Sequence, residues 1–138
     1  MKSFLQIAIL AMFCTCANAQ IVEPVARVIN FDDVDPINVS EKASIRIIAA
    51  KTVGMTRINM KQGGRGPHHN HPDEGMIMLL EGQLRATSLD KTWTMKPGDV
   101  FVIPSWVPHQ LEALVDSVYF EAFGPGSMFF GGAIPGAK

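Results

Sequence analysis

The chain is 138 residues long, with 12 Lys and Arg against 13 Asp and Glu, four His and two Cys. That length suits one domain and is short for two independent cores, and 47% apolar against 18% charged residues excludes a disordered chain. A net charge of −1 with no basic run excludes a reader of phosphate backbones, so no nucleic-acid partner is expected.

In chain order, residues 1–19 open on Met1-Lys2, run through an apolar stretch over 4–17 broken only by Gln6 and Thr15, and close on Ala17-Asn18-Ala19. A positive start, an apolar middle and small residues at −3 and −1 read as a secretory signal peptide cleaved after Ala19. The stretch is too short for a membrane span. The expectation is therefore a periplasmic or secreted protein with no stable membrane insertion after cleavage. Cys14 and Cys16 leave with the peptide, so residues 20–138 form a single domain without disulfides, thiolate ligands or a cysteine nucleophile.

From residue 20 onward the apolar period is two, not 3.6. An extended strand is expected over 25–29 and a surface loop over 31–38, which holds three Asp and one Pro. Alternation marks strands at 44–47 and 56–60. The run at 76–80 ends at Glu81-Gly82, read as a hairpin turn into 83–88. A strand at 92–95 leads to the turn Lys96-Pro97-Gly98-Asp99, then to a strand at 100–103 closed by Pro104 and Pro108. Segments 109–114 and 118–123 read as a further antiparallel pair about Asp116-Ser117. A Gly-rich tail, 124–138, carries Phe129 and Phe130. Strands at 8–12-residue spacing between turn signals argue an all-β sandwich or barrel.

All four histidines fall in two places, His68, His69 and His71 together and His109 far downstream. On a strand, His69 and His71 share a face while His68 points away. A third imidazole from a facing strand makes three nitrogen ligands, a set that suits a transition metal better than Ca or Mg. On spacing alone, the alternative is a proline-flanked loop whose histidines face solvent.

The surrounding residues resemble the cupin family. Residues 63–82, GGRGPHHNHPDEGMIMLLEG, follow its first motif, G-x5-H-x-H-x(3,4)-E-x6-G, with Gly63, His69, His71 and Gly82 in the fixed positions. Residues 98–113 follow the second, G-x5-P-x-G-x2-H-x3-N, through Gly98, Pro104 and His109. The resemblance implies a double-stranded β-helix, the cupin jelly-roll barrel. It also implies one divalent transition metal (Fe, Mn, Ni or Zn) held by His69, His71 and His109. Three positions depart from the pattern. Gly75 stands where the acidic ligand belongs, Trp106 where the second motif has Gly, and Ala113 where it has Asn. Gly75 leaves two outcomes: a three-His site with open positions, or Glu74 swung inward by a bulge as a fourth ligand.

On the last strand Glu121 and Phe123 lie at i, i+2 and can face the metal, with Glu121 a candidate general acid or base. The run at 119–125 resembles the matching strand of small cupins that linearise unsaturated uronates. Arg57, Arg65, Gln83 and Arg85 are further polar candidates, Arg57 and Gln83 being assigned to the substrate pocket with Phe123 and Trp106. Trp93, Met60, Met76, Met78 and Phe101 are assigned to the core and barrel wall. The resulting expectation is a metal-dependent enzyme on a small polar metabolite such as a uronate. An Fe(II) three-His dioxygenase and a non-catalytic binding cupin stand as alternatives. Cupins commonly form homodimers, and the strand at 25–29 is a candidate for pairing with a neighbour's sheet edge.

Overall fold

A computed structural model describes residues 25–126. The expected signal peptide, both cysteines and most of the Gly-rich tail lie outside the described residues. Nine strands are formed: β1 (Ile37–Ser40), β2 (Ala43–Ala49), β3 (Gly54–Met60), β4 (Gly75–Glu81), β5 (Leu84–Ser88), β6 (Lys91–Met95), β7 (Val100–Ile103), β8 (His109–Ala113) and β9 (Ser117–Phe123). They pair antiparallel into a six-stranded sheet, β1-β2-β3-β9-β4-β7, and a three-stranded sheet, β6-β5-β8. The fold is the expected all-β jelly-roll barrel.

The two-residue period sets what each sheet buries. Along β3, Thr56, Ile58 and Met60 are buried while Met55 is exposed. Along β4, Ile77 and Leu79 point in while Met76 and Met78 point out. The small sheet answers with Leu84, Ala86, Leu111 and Ala113. Wholly buried Leu79 and Leu84 each contribute roughly 2 kcal/mol by leaving water.

The structure corrects several local expectations. Glu81-Gly82 does not close a hairpin, because β4 pairs with β7 and β9 while β5 pairs with β6 and β8. The turn instead hands the chain from one sheet to the other. Gly82, at φ 87°, packs so tightly on Asp116 and Ser117 that a Cβ there would strike the Asp116 carbonyl. For the same reason β8 and β9 are not a pair; they lie in different sheets.

Residues 25–29 form no strand; they are exposed. The segment 31–38 is more ordered than a surface loop. Asn30 caps a single 3-10 turn (Phe31–Asp33), and β1 starts at Ile37. Phe31 stacks on Phe120 at 5.2 Å between ring centroids. Met76, Met78, Trp93 and Trp106 are exposed and form no part of the core.

Candidate metal centre

His69 and His71 do not sit on a strand. The segment from Arg65 to His71 crosses the small sheet's edge through isolated bridges, Arg65 to Glu112 and His69 to His109. The His69 and His109 backbones exchange two hydrogen bonds, 3.1 and 2.9 Å long. His71 is held separately, its carbonyl accepting a 2.7 Å bond from the Trp106 amide. His69, His71 and His109 thus converge, with one ligating nitrogen of each lying within 4.8 Å of the others. His68 is exposed and stands outside this group.

The three rings share one device. Nδ1 of His69 lies 3.0 Å from the Pro67 carbonyl, Nδ1 of His71 2.6 Å from that of Asp73, and Nδ1 of His109 3.0 Å from that of Val107. A carbonyl only accepts, so each Nδ1 carries the proton and donates, which leaves each Nε2 with a free lone pair. The His71 Nε2 is buried without a hydrogen-bond partner. An orphaned acceptor among two other imidazoles is what a cation-binding locus presents before its ion is counted. Burial, reinforced by the neighbouring imidazoles, pushes the His109 pKa down despite the opposing bond to Val107, and so favours the neutral, ligating form. The donor set fits a divalent transition metal, and His69, His71 and His109 would hold it.

Among the described residues, no carboxylate completes the set. Glu74 is exposed and is not among the converging groups, which corrects its candidacy as fourth ligand. Gly75 is the inward-facing position. A Cβ built there would lie 3.2 Å from His71 Cε1 and 3.5 Å from its Nε2. The residue in the acidic ligand's place therefore abuts the site and brings no donor.

Beside the histidines lies a cavity of about 390 Å³ lined in part by His69, His109, Glu121, Tyr119 and Ile77. Glu121 faces it from β9, between Thr56 of β3 and Ile77 of β4. Burial pushes the Glu121 carboxyl up to about 7, and burial together with Glu121 raises Tyr119. Phe123 shares the Glu121 face, but its ring packs against Gly54 rather than lining the cavity.

Three other pocket assignments are corrected. Arg57 faces the opposite side of the large sheet, where it meets Asp32 at 2.6 Å and its guanidinium lies 5.8 Å from the Phe31 ring centre. Gln83 is an exposed turn residue whose backbone binds Ser117 and Leu114. Trp106 is 64% exposed; only its amide serves the site, through His71. Arg85 pairs with Glu112 at 2.7 Å, as does Arg65 at 3.1 Å, and only Arg65 reaches the cavity. The site residues missed by the sequence reading are the apolar walls Ile58 and Leu111; Thr56, the register neighbour of Glu121, has a buried hydroxyl without a hydrogen-bond partner. The alternation of Ile58 with Met60 on β3, and of His109 with Leu111 on β8, was the signal for those walls.

An all-β barrel of two sheets with a histidine triad set between them defines a jelly-roll protein of the metal-site type. The sequence pattern of the Cupin domain matches residues 56–122, and the barrel has the fold of a small cupin. An RmlC-like cupin from Shewanella frigidimarina superposes with a TM-score of 0.68 at 15% identity, over 73% of this chain and 92% of that one. KdgF from Halomonas sp. gives 0.63 at 25% identity, over 68% and 90%. The Bacillus subtilis oxalate decarboxylase with Mn(II) centres gives 0.64 at 21% identity, over 75% of this chain but only 31% of that one. No curated protein matches the sequence.

Proposed function

We propose that this chain is an exported, metal-dependent enzyme acting on a small molecule, with His69, His71 and His109 as the metal ligands and Glu121 as the proton-carrying group. The observation that carries the reading is the orphaned His71 Nε2 among rings whose Nδ1 protons are all committed to backbone carbonyls. Held by His69, His71 and His109, an Fe, Mn, Ni or Zn ion would supply a Lewis acid for the substrate. The rings are held in orientation before any ion arrives, and Gly75 adds no side chain to the space beside His71. Glu121, in the same cavity and with its carboxyl at about 7, is poised to take or return a proton near neutral pH.

Elemental analysis of the purified protein tests the metal. About one divalent transition ion per chain is expected, falling below a tenth in His69→Ala and His109→Ala. Metal-free wild-type protein that ignores added Fe, Mn, Ni and Zn would overturn the reading. Replacing Glu121 by Gln should lower turnover at least a hundredfold while leaving metal content unchanged; full turnover in that variant would remove its assigned role.

The run at 119–125 and the 25% identity to KdgF favour a substrate that bears a carboxylate, the feature a uronate shares with other small organic acids. We further propose a homodimer through the outer face of the large sheet. Met55, Met76, Met78, Val100 and Val102 are exposed there, and register places Met76 beside Val102 and Met78 beside Val100. Contiguous apolar surface of this kind marks an interaction face.

A further inference from the structure

The cavity wall is largely apolar, with His69, His109 and Glu121 at one end, Tyr119 along it, and Ser40 and Arg65 toward the other. Strand register orders its inward rows. Glu121 stands level with Thr56 and Ile77, one inward step on stand Tyr119 and Ile58 with Ile45, and a second step reaches Met60 with Ala43. On the facing sheet His109 is followed by Leu111. Each inward step spans roughly 6.7 Å, so about 13 Å of largely hydrocarbon wall runs away from the histidines and Glu121. The one guanidinium lining the cavity, Arg65, is already engaged by Glu112 at 3.1 Å.

We infer that the substrate of this site carries a single oxygen-bearing head group on a hydrocarbon body, the head beside His69, His109 and Glu121 and the body along Ile45, Ile58 and Leu111. This rests on the proposed metal site and narrows what that site accepts. A polyhydroxylated sugar acid would bring its head to the same place and set most of its remaining hydroxyls against Ala43, Ile45, Ile58, Met60 and Leu111, which neither donate nor accept, with only the Tyr119 and Ser40 hydroxyls to meet them. An aromatic or aliphatic body loses nothing there and leaves water. At the packing density of protein interiors, the cavity of about 390 Å³ takes a ligand of on the order of 15 non-hydrogen atoms.

Two carboxylates of similar size but different bodies separate the cases: 3-phenylpropanoate and galacturonate. They are titrated calorimetrically into purified full-length protein, with metal content measured on the same sample. We expect 3-phenylpropanoate to bind at least tenfold more tightly than galacturonate, with a negative heat-capacity change from apolar burial. Ala43→Phe, which fills the far end of the cavity, should weaken that binding at least tenfold and leave metal content unchanged. Equal or tighter binding of galacturonate, binding of neither compound by metal-loaded protein, or a heat-capacity change near zero would overturn the inference. The heat-capacity measurement decides even if Ala43→Phe fails to fold. Failure of the metal reading is separate, since it shows as absent metal whichever compound is preferred.

Discussion

Trp106 occupies the position where the second cupin motif has glycine, and it keeps the glycine's conformation, with φ at 63°. A side chain in that region costs roughly 1–2 kcal/mol, and a tryptophan that is 64% exposed recovers little by packing. Trp106→Gly should therefore stabilise the fold by about 0.5–1 kcal/mol, after the greater freedom of glycine in the unfolded chain is deducted. Urea denaturation checks this, and the amide bond to His71 should survive. Glu121 yields a pH signature with a definite sign. Its folded carboxyl titrates at about 7 against an ordinary 4.5, so between those values the folded state holds a proton that the unfolded chain has released. Its contribution to stability is fully present below pH 4.5, declines as pH rises to 7, and is gone above. The melting temperature of metal-free protein should carry this decline between pH 5 and pH 8, and Glu121→Gln should remove that component; identical profiles would refute it.

Among the elements, those whose meaning is local were legible in the sequence. The motif glycines Gly63, Gly82 and Gly98 are all three of the described glycines at positive φ, and the strands from β2 to β9 lie within a few residues of their expected positions. Pairing was not legible. Alternation in 76–80 and 83–88 says that each is a strand, but a strand's partner is decided by the whole sheet. The turn between them consequently read as a hairpin and proved to be a crossing between sheets. Gly82→Ala tests that crossing. It should cost about 3 kcal/mol, because both the positive φ and the contact with the Asp116 carbonyl oppose a Cβ. Phase also explains the misplaced Arg57. It alternates with Ile58 on β3, so any face that buries Ile58 sends Arg57 outward to Asp32. The histidine triad was legible because ligand chemistry narrows the choice to four residues. The cavity's walls were not, because hydrocarbon side chains look alike whether they fill a core or line a pocket.

At the scale of the molecule, the outer face of the large sheet divides in two. Near β3 and β9 it is covered by Phe31 on Phe120 and by Asp32 on Arg57, whereas near β4 and β7 Met76, Met78, Val100 and Val102 remain exposed. If that half is the homodimer seam, Met76→Lys combined with Val102→Lys should give a folded monomer by light scattering with metal content intact. A wild-type protein already monomeric at micromolar concentration would remove the proposal.

One connection joins the end of the barrel to a single imidazole. The Gly126 amide donates to the Asp73 side chain, and the Asp73 carbonyl in turn receives the Nδ1 proton of His71. The chain leaving β9 is therefore coupled in series to one ring of the triad, as a cord tied to a lever. Tension on the residues beyond 126, from a fused handle or a docked partner, would be passed through two bonds to that ring while the other two rings stay anchored elsewhere. A purification tag fused at the C-terminal end would be the addition best placed to disturb the site without touching it.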